Sequence, residues 1–240
     1  MFLKIYSDII LKRLVITLNR RHFITMTAKI LAATATFGFL PESAEAARKN
    51  KKIKNQEIQP EEMVTAPQFD MPPLVDLKEM SDLEIGSYNL QFTDDMEVRE
   101  GTGAIVIHHA GLTKDIDIGV PAIHDMHLGN GWAGIGYHFI IHKDGKIEEG
   151  RPLQYMGAHA YKNNQYTVGI CMTGNYNLGF PPFEQTLAVE QLTAALCKKY
   201  KIKPTDYTIF GHRDLNATSC PGDNFYPLLP QLIKNVKEVL

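Results

Sequence analysis

Hydrophobic and polar positions alternate with clear period from about residue 85 to the C-terminus. Residues 104–109, Ala-Ile-Val-Ile-His-His, form a short β-branched run, the mark of a buried strand. Residues 135–142 and 166–173 read as further strands, and 207–210 as another. Lys143-Asp144-Gly145-Lys146 predicts a tight turn into a short strand near Ile147, because Asp-Gly suits a hairpin. Helical spacing replaces the strand pattern in three places. A helix is expected from Val120 to about Leu128, with Pro121 in its first turn and Gly129 at its end. Residues 184–200 place Val189, Leu192, Leu196 and Tyr200 on one face, and 227–239 do the same with Leu229, Leu232, Ile233 and Val236. Strands alternating with helices, plus one antiparallel hairpin, predict an α/β fold with a central mixed β-sheet flanked by helices.

Before residue 85 the pattern differs. Residues 1–46 have the features of a twin-arginine-type signal peptide: Asn19-Arg20-Arg21-His22-Phe23-Ile24-Thr25, a moderately apolar run from Met26 to Leu40, then small residues at Ala44 and Ala46 before an expected cleavage. Asn19 and Thr25 depart from the usual motif. Lys29 breaks the run and leaves about eleven apolar or small residues, short of the ~20 that span a bilayer. No stable membrane span is therefore expected after cleavage. Residues 47–84 read as a flexible linker, with a basic cluster (Arg48, Lys49, Lys51, Lys52, Lys54) followed by Pro60, Pro67, Pro72 and Pro73. Residues 85–240 are the expected folded domain.

Composition narrows the partners. With 44% hydrophobic and 22% charged residues the chain falls in the ordinary globular range. Six of its 25 basic and three of its 27 acidic side chains lie in residues 1–46, so the remainder carries a net charge of −5. A mildly acidic body gives no footprint for nucleic acid.

The candidate chemistry sits at two strand ends. One strand stops at His108-His109, of which only one side chain can point to a given spot. Another leads through Gly211 into a polar loop that holds His212 and Cys220. Imidazole nitrogen and thiolate sulfur suit Zn²⁺, and three protein ligands leave a fourth position open, which is the catalytic arrangement. Cys171 and Cys197 read as buried thiols rather than a disulfide.

Five ordered blocks carry a resemblance: Val-Ile-His-His at 106–109, Gly-Trp-x-x-Ile-Gly-Tyr-His-Phe at 131–139, Gly-Ala-His at 157–159, Val-Gly-Ile-Cys at 168–171, and Gly-His-Arg-Asp…Cys-Pro at 211–221. From about residue 85 to 240 the chain resembles the zinc N-acetylmuramoyl-L-alanine amidases, which include phage lysozyme-type amidases and peptidoglycan recognition proteins. The resemblance implies that His108, His212 and Cys220 hold Zn²⁺ and that Tyr137 is catalytic. Thr218 takes the place where the phage enzymes carry lysine and many recognition-protein amidases carry threonine. His159 and His109 are expected to line the substrate cleft. Cys171 and Cys220 set the chain apart from the recycling branch, which has glutamate and aspartate there.

The implied reaction is hydrolysis, by zinc-activated water, of the amide between N-acetylmuramic acid and L-alanine. Expected partners are peptidoglycan or muropeptides, and the protein is expected to act on them as a monomer exported to the periplasm or cell wall. The alternative is a non-catalytic peptidoglycan-binding recognition module, since some recognition proteins keep the fold and lose the cysteine. Trp132 reads as a core anchor rather than a sugar platform.

Overall fold

The computed structural model describes residues 78–93 and 96–240. The export segment expected at 1–46 and residues 47–77 of the expected linker lie outside the described residues. Among the described residues six strands form one sheet: β1 (Ile85–Gly86), β2 (Ala104–His109), β3 (Phe139–Ile141), β4 (Ile147–Glu149), β5 (Thr167–Met172) and β6 (Ile209–Gly211), in the spatial order β1-β4-β3-β5-β2-β6. Only the β3–β4 hairpin is antiparallel, so the sheet is mixed. Three helices of the described residues flank it: α1 (Val120–Gly129), α2 (Phe183–Tyr200) and α3 (Leu229–Val239).

The parallel centre explains the apolar runs. All six residues of β2 are buried, so both sheet faces are covered and the strand has no polar side. By alternation Ala104, Val106 and His108 share one face, and Ile105, Ile107 and His109 the other. Phe210, Tyr166 and Ala160 pack with Ala104 and Val106, while Val120 and Ile123 of α1 pack with Ile135, Ile140 and Cys171. α2 lies against β3 and β5, and α3 against β6.

Two differences from the sequence reading have clear causes. The strand expected over 135–142 is only three residues long. Side chains take its first main-chain groups instead: the Ile135 N–H donates to His124 Nδ1 at 3.2 Å, the Gly136 N–H to His127 Nδ1 at 3.0 Å, and Arg151 Nε donates to the Ile135 carbonyl at 2.9 Å. β1 has two residues, too few to carry a period. Residues 78–84 contain a 3₁₀ turn at Met80–Asp82 that packs on α2, an ion pair between Glu79 and Lys198, and a buried Leu83.

A buried carboxylate ties the sheet edge to α1. Glu148 accepts hydrogen bonds from the Tyr88 hydroxyl (2.6 Å), Lys146 (2.7 Å) and the Val120 N–H (2.9 Å), the last at a helix N-terminus that favours negative charge. Burial raises its pKa, but Lys146, Tyr88, the Val120 N–H and His142 together bring it down to about 2.

Candidate metal centre

β2 and β6 are parallel neighbours, with Ile107 beside Gly211. Their carboxyl ends therefore deliver His108 and His212 to the same place. A 3₁₀ turn at His212–Asp214 follows β6, held by the Gly211 N–H donating to Asp214 Oδ2 at 2.9 Å. The loop after it returns Cys220 to the mouth of β2, where the His109 N–H donates to Cys220 Sγ at 3.4 Å. One ligand atom each from His108, His212 and Cys220 lie within 4.8 Å of one another, and no other such group occurs among the described residues. The His108 and His212 rings are 4.5 Å apart.

The donor set fits a borderline-soft divalent ion. Burial, then the neighbouring His159 and His212, holds His108 well below the usual imidazole range, and burial lowers His212 as well. Both are neutral lone-pair donors at neutral pH. Burial pushes the Cys220 thiol up to about 12, against the His109 N–H and Arg213, which lower it. A buried thiolate beside two neutral imidazoles is compensated by a bound cation, as in zinc sites of this composition.

Tyr137 lies beside the cluster, its ring 5.1 Å from that of His108 and 5.6 Å from that of His127. Burial, then Cys171 and Cys220, raises its pKa well above the phenol range, so it stays a neutral donor. Thr218 is exposed, and its hydroxyl oxygen accepts the Cys220 N–H at 3.2 Å.

The two histidines expected at the substrate are both buried. His159 is 7% exposed and meets His108 directly, with Nδ1 3.0 Å from His108 Nε2. His109 is 6% exposed, and its Nδ1 accepts the Tyr176 N–H at 3.0 Å. Trp132 is 45% exposed, its ring tilted by 50° against that of His127 with centroids 4.6 Å apart, so it is not a core anchor. Cys171 and Cys197 are buried free thiols. Sequence reasoning missed His127, Thr167 and Asn216. Gly-Tyr-His drew attention to Tyr137 but gave no sign that a helix histidine nine residues before Gly136 would bond that glycine.

A mixed sheet with flanking helices is the fold this chain shares with solved amidases and peptidoglycan recognition proteins. A family model described as N-acetylmuramoyl-L-alanine amidase matches residues 100–223, and the chain belongs to that family. It is 33% identical to an endolysin of Klebsiella phage KP32 over 134 residues, 55% of this chain and 86% of that one. It is 40% identical to peptidoglycan-recognition protein SC2 of Drosophila melanogaster over 130 residues, 51% of this chain and 69% of that one. Among solved structures, the amidase LysC from Clostridium intestinale URNW superposes with a TM-score of 0.58 at 33% identity, covering 66% of this chain and 99% of that chain. Drosophila PGRP-LB gives 0.54 at 30%, covering 60% and 91%. Among the described residues no helix is long and apolar enough to cross a membrane.

Proposed function

We propose that this chain is a peptidoglycan hydrolase that cuts the amide bond between N-acetylmuramic acid and L-alanine of the stem peptide, with zinc as its cofactor. The convergence of His108, His212 and Cys220 beside Tyr137, in a member of the amidase family, carries this reading. A zinc ion held by those three residues would polarise the scissile carbonyl and activate water for attack.

The chain's own groups then act on charge that develops at the carbonyl oxygen. Tyr137 stays protonated through burial and offers its O–H to the oxyanion. Thr218 accepts the Cys220 N–H through its oxygen, which leaves its hydroxyl proton for a second hydrogen bond. A neutral donor is worth less than the full charge of a lysine at this place. His108 and His212 stay neutral, so their lone pairs are available to the metal without loss of a proton at neutral pH.

The presence of both Cys220 and Tyr137 favours an enzyme over a binding-only module. Stoichiometric zinc in the purified protein, with muropeptide release abolished in His108→Ala and Cys220→Ala, is the expected result. Equal turnover by those variants would exclude the mechanism.

We read residues 1–46 as a twin-arginine export segment and the following stretch as a tether, which places the mature domain in the periplasm or at the cell wall. Export of a folded domain would keep Cys220 with its metal before it meets an oxidising compartment. Arg20→Lys with Arg21→Lys is expected to hold the protein in the cytoplasm, and unchanged export would refute this.

A further inference from the structure

Two chains of hydrogen bonds run from the metal centre into one turn, and each has a fixed direction. The first ends on the main-chain carbonyl of Asn163, which has no proton to give. Thr167 Oγ1, 2.8 Å away, therefore donates to it. The Thr167 oxygen is left to accept from His159 Nε2 at 3.4 Å. With its proton on Nε2, His159 presents a lone pair at Nδ1, 3.0 Å from His108 Nε2. His108 must then carry its proton on Nε2. Its bare Nδ1 faces Cys220 Sγ at 3.7 Å.

The second chain ends on the carbonyl of Tyr161. Asn216 Nδ2 donates there at 3.2 Å, which turns its Oδ1 toward His212 Nε2 at 3.1 Å. An amide oxygen only accepts, so His212 also carries its proton on Nε2 and leaves Nδ1 bare.

Both anchoring carbonyls flank Lys162, whose φ of 64° lies in the left-handed region. Asn164 Oδ1 accepts the N–H groups of His159 (3.0 Å) and Ala160 (2.8 Å), and the Asn163 side chain donates to the Tyr161 carbonyl at 2.9 Å. The His159 ring fits because β5 has no side chain beneath it. A Cβ at Gly169 would lie 2.5 Å from that ring, and one at Gly157 would also strike it.

We propose that the turn from His159 to Thr167 sets the tautomer of both histidine ligands, holding His108 and His212 as Nε2–H imidazoles with Nδ1 aimed at the metal position. His159, Thr167 and Asn216 are thus positioning residues. The inference rests on the metal-centre reading above and adds to it a source of ligand order that neither histidine supplies alone. A ligand held in the right tautomer before binding loses nothing to ring flips when metal arrives, and loss of such outer partners typically costs about 10–100-fold in affinity.

The test uses the full chain. Long-range ¹⁵N imidazole correlation spectra of the metal-free protein are expected to show the Nε2–H tautomer at both His108 and His212. Zn²⁺ affinity, measured by chelator competition, is expected to fall about 10–100-fold in Thr167→Val and in Asn216→Ala. Thr167→Ser keeps the hydroxyl and is expected to retain the parent's affinity. An Nδ1–H tautomer at either ligand overturns the proposal, as does wild-type affinity in a folded Thr167→Val or Asn216→Ala. If wild-type protein binds no zinc, the metal-centre reading fails, and the tautomer spectra still decide this one.

Discussion

Cys220 Sγ lies 3.7 Å from His108 Nδ1, although 112 residues separate them in the chain. The parallel pairing of β2 with β6 brings them together, since the loop that leaves β6 has only to fold back across the neighbouring strand end. The site is thus a product of sheet order, and disturbing its sulfur should be read first in metal content.

Cys220→Ala is expected to lose stoichiometric zinc while the metal-free fold persists. In the parent, removal of zinc with a chelator should lower the melting temperature and re-addition should restore it. Metal that binds only the folded state contributes about 4 kcal/mol at a thousandfold excess over Kd. Scanning calorimetry with and without chelator checks this; an unchanged melting temperature in a zinc-loaded parent would contradict it.

Tyr137→Phe removes one hydroxyl and keeps the ring against His108 and His127. Turnover is expected to fall on the order of 10²-fold, with zinc content and KM little changed. Loss of zinc in this variant would mean that Tyr137 supports the site rather than the reaction.

Glu190 is buried between α2 and α3. Its Oε1 accepts from Asn235 Nδ2 at 2.8 Å, and its Oε2 has no hydrogen-bond partner among the described residues. Burial raises its pKa to about 8, against the Asn235 hydrogen bond, which lowers it. The folded state therefore holds a proton that the unfolded chain releases near the ordinary carboxylate value. Stability from this group is present at low pH and is lost as pH rises from about 4.5 through about 8. Glu190→Gln is expected to flatten that decline and to be more stable than the parent above pH 8, as urea denaturation at several pH values would show. A steeper decline would contradict the assignment.

Glu148 behaves in the opposite sense. Its pKa is depressed to about 2, so its contribution is present above the unfolded value near 4.5 and disappears as pH falls through about 2. Glu148→Gln is expected to cost about 1.5–3 kcal/mol at neutral pH and much less at pH 2. A loss of equal size at both values would show that shape, not charge, matters there.

Much of this architecture was readable from hydrophobic period. The β-branched run at 104–109 became a strand with those limits, and the spacing of Val189, Leu192 and Leu196 located α2. Where side chains rather than a ladder satisfy the backbone, period misleads. Ile135 and Gly136 look like strand residues, yet histidines of α1 bond their amides. The partners of the candidate metal centre were illegible for a related reason. Thr167 and Asn216 are ordinary polar residues whose role comes from carbonyls at Tyr161 and Asn163, and a carbonyl has no letter in a sequence.

The most direct measurement is mass spectrometry of what purified protein releases from intact sacculi, with chelator and after zinc is restored. Stem peptides bearing a free amino-terminal alanine, released only when zinc is present, are the expected products. Glycan fragments with new reducing ends, or peptide release that a chelator leaves untouched, would contradict a zinc amidase built on His108, His212 and Cys220.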